Sequence, residues 1–122
     1  SLASEATVAV DELRAQGVAA GVLGLRSYRP FPSAALRAAL RGKRVVTVFD
    51  KSISYGNEGP ICADLKAALF GMEGAPVVHG HICGLGGRDV KARELVEAAL
   101  ASKADVEMGL LRDAPVWINL QV

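Results

Sequence analysis

Two glycine-bearing stretches carry the residue types best suited to holding a ligand or a neighbouring chain. One is Lys51-Ser-Ile-Ser-Tyr-Gly-Asn-Glu-Gly59, and the other is Gly84-Leu-Gly-Gly-Arg-Asp89. Glycine tolerates positive φ and lets backbone approach backbone or phosphate closely. Ser52 and Ser54 add hydroxyls, and Arg88 adds a forked cation that matches a carboxylate or a phosphate. A helix N-terminus after either stretch would offer free N–H groups to an anion. The stretches stop short of a phosphate motif, because GLGG is not GxGxxG and no GxxxxGK[S/T] occurs. Tight turns that seat a helix or meet a neighbouring domain are therefore the favoured reading of Ser52, Ser54, Gly56, Gly59, Gly84, Gly86, Gly87 and Arg88. An anion-binding site is the alternative.

A second group is His79, His81 and Cys83, which alternate with Val78, Gly80 and Ile82. On a strand, period two puts all three on one face. Next-but-one residues lie about 6.5–7 Å apart, too far for three ligands to converge on one zinc ion without a bend. Half-buried polar side chains at a subunit contact are the favoured reading, and no metal site is expected. Asp50, Glu58, Asp64 and Asp89 lack a paired nucleophile, so they read as strand-end charge, turn residue, helix face and N-cap rather than acid/base groups. Tyr28, Phe31 and Tyr55 read as anchors at loop bases.

The elements that must position these residues alternate between two periods. Helical spacing runs from Leu2 to Gln16, with Gly17 as a stop. A strand is predicted over Val18–Leu25, and a helix from Pro32 or Ser33 to Leu40. Arg44–Asp50 reads as a strand buried on both faces, as in a parallel sheet. A helix from Pro60 to Phe70 follows the first glycine stretch, and a strand over Pro76–Ile82 precedes the second. A helix capped by Asp89 is predicted to reach Ala101, and a short strand falls within Pro115–Leu120. Strands alternating with helices define βαβ units. The chain opens on a helix where the pattern calls for a strand, so the first unit is expected to be truncated.

Totals agree with one α/β domain over residues 1–122. The chain has 122 residues, 51% hydrophobic and 5% aromatic, with a net charge of +1. No basic cluster suggests nucleic acid, and no apolar stretch reaches the roughly 20 residues of a membrane span. Two cysteines are too few for a disulfide scaffold or an all-cysteine cluster. A reducing, cytoplasmic setting is expected.

Three segments in order carry a resemblance: Leu25-Arg-Ser-Tyr-Arg-Pro-Phe-Pro32, Val48-Phe-Asp-Lys-Ser-Ile-Ser-Tyr-Gly-Asn-Glu-Gly-Pro60 and Gly84-Leu-Gly-Gly-Arg-Asp89. Together they resemble the C-terminal domain of the α subunit of thiamine-diphosphate-dependent 2-oxoacid:ferredoxin oxidoreductases, with pyruvate synthase the nearest kind. The resemblance covers most of residues 1–102. It implies a transketolase C-terminal-like fold, a three-layer α/β/α sandwich on a mainly parallel sheet of about five strands. It also implies a fragment of a larger subunit, in an enzyme that makes acyl-CoA, CO2 and reduced ferredoxin.

In that family the thiamine diphosphate lies between other domains and the iron–sulfur ligands lie elsewhere. No catalytic residue carries over, no cofactor is expected in this chain, and the isolated chain is expected to be inactive. The implied partners are the other domains and subunits of a homo- or hetero-oligomer, with ferredoxin and coenzyme A for the whole enzyme. Where the family suggests apolar, aromatic or Asn residues, this sequence has His79, His81 and Cys83. Two alternatives remain: a stand-alone phosphate- or nucleotide-binding α/β module, and the C-terminal domain of another thiamine-diphosphate enzyme.

Overall fold

The computed structural model describes residues 2–24, 30–50, 60–83, 90–109 and 116–118. In chain order the elements are α1 (Leu2–Ala15), α2 (Ser33–Leu40), β1 (Val45–Asp50), α3 (Pro60–Leu69), β2 (Val77–Cys83), α4 (Ala92–Glu107) and β3 (Val116–Ile118). The strands form one parallel sheet in the order β1-β2-β3. Parallel neighbours need a crossover, and α3 and α4 lie in the two connections. Of the five or so strands expected, three are present among the described residues.

Strand alternation sorts the core into two layers. Val46 and Val48 of β1 and Val78 of β2 face α2 and α3, where Leu36, Leu40, Cys62, Leu65, Leu69 and Met72 complete one apolar cluster. Phe49 and Cys83 face the other way, towards Ala9 and Leu13 of α1 and Leu95 and Val96 of α4. Helices thus cover both faces, as an apolar parallel sheet requires. The expected α/β/α sandwich is present.

Beyond one-residue shifts at element ends, three features differ from the sequence reading. Residues 18–24 are not a strand. Val18 instead closes the end of α1, donating its amide to Leu13 O at 3.0 Å while Gly17, at φ 85°, donates to Arg14 O. This is a Schellman stop, with Val18 and Leu13 in the same cluster. Beyond it, Arg14 Nε donates to Ala20 O, and Val22 and Leu23 are exposed. β propensity makes a strand only where a neighbour supplies the ladder. Secondly, α4 starts at Ala92 with Lys91, not Asp89, at its N-cap. Asp89 lies outside the described residues. Thirdly, α4 runs past Ala101 to Glu107, helped by the Lys103–Glu107 pair at 3.0 Å and by burial of Ser102.

β1 has the composition of an interior strand, with no Lys or Pro to blunt an edge. Among the described residues β2 is its one strand neighbour. The C-terminal strand β3 pairs with β2 on the far side, so it does not cover β1. A strand from outside the described residues is expected along Val45–Phe49. A structure of the full-length protein with that edge bare would contradict this.

Among the described glycines, Gly80 leaves the least room for a side chain, because α3 lies against it. A Cβ at Gly80 would sit 2.7 Å from Cys62 Sγ and 3.3 Å from Cys62 Cβ. Gly80→Ala should therefore destabilise by about 1–3 kcal/mol, the usual cost of overpacking. Adding Cys62→Ala should recover part of that loss in chemical denaturation, because it removes the nearer atom. Additive losses would show that the contact is not the cause.

Candidate functional site

The carboxyl ends of β1 and β2 form one rim. Asp50 and Ile82 are register partners, so residues 51–59 and 84–89 leave the sheet from adjacent parallel strands. This is the edge where open α/β sheets collect ligands. The residues singled out from sequence, Ser52, Ser54, Gly56, Gly59, Gly84, Gly86, Gly87 and Arg88, lie outside the described residues, as do Glu58, Tyr28 and Tyr55. Their take-off points, and the two helices that follow, are described.

The first turn of α3 needs acceptors for its leading amides. Gly59 ahead of Pro60 has no side chain to supply one. Asp50 does so from the end of β1. Its Oδ1 accepts from Ile61 N at 3.1 Å and its Oδ2 from Cys62 N at 3.0 Å. Asp50 is 2% exposed, and charge-assisted bonds from amides to a carboxylate satisfy both oxygens of a buried anion. The positive end of the α3 dipole favours the same charge. The sequence reading of Asp50 as a strand-end charge missed this task. The available signal was a helix start with no capping side chain of its own.

α4 solves the same problem with a more distant residue. Lys91 has no side-chain acceptor to offer, but Glu94 turns back so that its Oε1 accepts from Lys91 N at 3.0 Å. Ala92 N donates to Glu5 Oε2 at 2.8 Å, across from α1. Both helices that open on the rim therefore already hold a carboxylate of this chain. A phosphate on these amides would have to displace a bound anion and face its charge, so the described rim does not fit a diphosphate group.

His79, His81 and Cys83 do share a face, the one towards α1 and α4, as period two requires. They are 0%, 2% and 1% exposed. The half-buried placement at a subunit contact is therefore corrected, since this chain's own layers cover all three. His81 packs on its register neighbour Phe49, ring centroids 5.3 Å apart. Among the described residues no three His, Cys, Asp or Glu side chains gather as a metal site needs. Cys62 and Cys83 lie in opposite layers with the sheet between them, so they do not fit a shared iron–sulfur cluster. Phe31 packs against the α2/α3 cluster, which fits its reading as an anchor. Asp64 lies partly buried on α3.

A parallel sheet between two helix layers, with a glycine-bearing segment leaving each of two adjacent strand ends, defines a doubly covered α/β domain. The chain belongs to the family described as pyruvate:ferredoxin oxidoreductase core domain II, which matches residues 1–95. It is 38% identical over 89 residues to the pyruvate synthase subunit PorA of Thermotoga maritima, covering 73% of this chain and 23% of that one. It is 33% identical over 121 residues to the ketoisovalerate oxidoreductase subunit VorA of Pyrococcus furiosus, covering 99% and 31%. The PorA subunit of Methanosarcina barkeri is 35% identical over 102 residues, covering 83% and 25%. The chain thus spans between a quarter and a third of the length of most of these relatives, and slightly less of the first. No described helix is long and apolar enough to cross a membrane.

Loss of the inter-helix cap has a measurable cost. Glu5→Ala should destabilise by about 0.5–2 kcal/mol, the range for a lost N-cap. Glu5→Gln should cost less, because an amide oxygen can still accept from Ala92. Equal stability of Glu5→Ala and the parent in chemical denaturation would rule out the cap as a working contact.

Proposed function

We propose that this chain is a structural and interface domain of the α subunit of a 2-oxoacid:ferredoxin oxidoreductase. The whole enzyme would decarboxylate a 2-oxoacid, pyruvate being the first candidate, and yield acyl-CoA, CO2 and reduced ferredoxin. Family membership over residues 1–95 and relatives named for pyruvate and for ketoisovalerate support the enzyme class. Thiamine diphosphate and iron–sulfur clusters would act in other parts of that enzyme, in the cytoplasm. The partners of this domain would be the remainder of its own subunit and the neighbouring subunits, with ferredoxin and coenzyme A serving the whole.

One observation carries the interface reading over the anion-site reading. Ile61 and Cys62 at the start of α3 already give their amides to Asp50, and Ala92 at the start of α4 gives its amide to Glu5. The rim then has glycine-bearing segments and Arg88 to offer a protein neighbour, rather than a free helix end to offer a phosphate. Ser52, Ser54, Gly56, Gly59, Gly84, Gly86, Gly87 and Arg88 are the residues assigned to that contact.

Arg88 tests it. Removing an Arg from a buried hydrogen-bonded pair costs about 2–5 kcal/mol in association. Arg88→Ala in the whole enzyme should weaken subunit assembly or lower thermal stability while the assembled fraction turns over normally. Intact assembly with turnover or coenzyme A binding abolished would overturn the interface reading in favour of an anion site.

A further inference from the structure

We infer that Asp50 is a positioning residue for the segment 51–59, clasping the two points at which that segment leaves and rejoins the fold. An ordinary N-cap sits beside the helix that it caps. This one is supplied from eleven and twelve residues away, so the same two bonds that finish α3 also tie its start to the end of β1. Each carboxylate oxygen takes one amide, at 3.1 and 3.0 Å, in a site only 2% exposed.

The landing point is fixed a second time. Cys62, whose amide Asp50 holds, has its sulfur against Gly80 of β2, where a Cβ would come within 2.7 Å. The first turn of α3 is therefore held by β1 through a carboxylate and by β2 through a missing side chain. Phe49, the preceding residue, packs in the opposite layer, so the end of β1 is held from both faces of the sheet. The geometry of the clasp is independent of the interface reading, but its consequence for assembly rests on that reading.

The test uses the full-length subunit in its assembled enzyme, with Asp50→Asn compared against Leu13→Ala. Leu13 is buried in the α1/α4 layer, across the sheet from α3, so its loss costs stability without touching the clasp. Asn keeps the shape of Asp yet turns an NH2 towards one of the two amides. Hydrogen exchange should accelerate at Ile61, Cys62 and residues 51–59 by about tenfold or more, with Val77–Gly80 unchanged, as for a local opening. The subunit dissociation constant should rise about tenfold, equivalent to ~1.4 kcal/mol.

Leu13→Ala, compared at equal loss of thermal stability, should leave that constant within about twofold. Acceleration spread evenly through α2, α3 and β2, or equal weakening by both variants, would reduce Asp50 to a general stability residue and overturn the proposal. Local acceleration without weaker association would uphold the clasp and sink the interface reading instead. If Asp50→Asn fails to fold, Asp50→Glu keeps the charge and shifts it by one methylene. The same local acceleration is then expected, and its absence overturns the clasp.

Discussion

The leading amides of α3 and α4 point towards the carboxyl rim of the sheet, and each must find an acceptor or stay wet. In this domain the acceptors come from other elements: Asp50 of β1 for α3, and Glu5 of α1 for α4. That constraint does three things. It finishes the helices, it ties helices to a strand and to each other, and it fills with negative charge the positions where a phosphate would otherwise bind. A rim neutralised in this way is better suited to meeting protein than to holding an anion. The role proposed for the domain grows from that chemistry rather than from any catalytic group.

Packing around the rim depends on one small residue. Gly80 lets Cys62 lie against β2 with no side chain between, so α3 sits close enough for Asp50 to reach its amides. The opposite face of the same strand carries His79 and His81, both buried. β2 is therefore bare under α3 at Gly80 and carries bulky rings under the α1/α4 layer. The tilted packing of His81 on Phe49 across the register fills part of that second layer, which is otherwise built largely from alanines, leucines and valines.

Much of the fold was legible because its signals are local. Helix stops at glycine, apolar strands and βαβ alternation place α1, α2, α3, β1, β2 and β3 with small boundary differences. Strand alternation also placed His79, His81 and Cys83 on one face correctly. Their full burial was not legible, because period two says which residues share a face and nothing about how thickly that face is covered. Residues 18–24 failed as a strand since a ladder needs a neighbour, which the sequence of the segment cannot reveal. The two carboxylate caps were missed for a related reason: Asp50 lies eleven residues from its first partner and Glu5 eighty-seven from Ala92, while capping rules look only a few residues ahead. The glycine segments were found from composition, but their purpose depends on what meets them.

The central claim is that this rim is built for contact within an assembled enzyme. Its most direct test is amide hydrogen exchange of the free subunit against the assembled enzyme, followed over residues 51–59 and 84–89, with coenzyme A added in a separate arm. Protection that arises on assembly and does not change with coenzyme A is the expected result. Segments that exchange as fast in the assembled enzyme as in the free subunit, and become protected only when coenzyme A is added, would contradict the account.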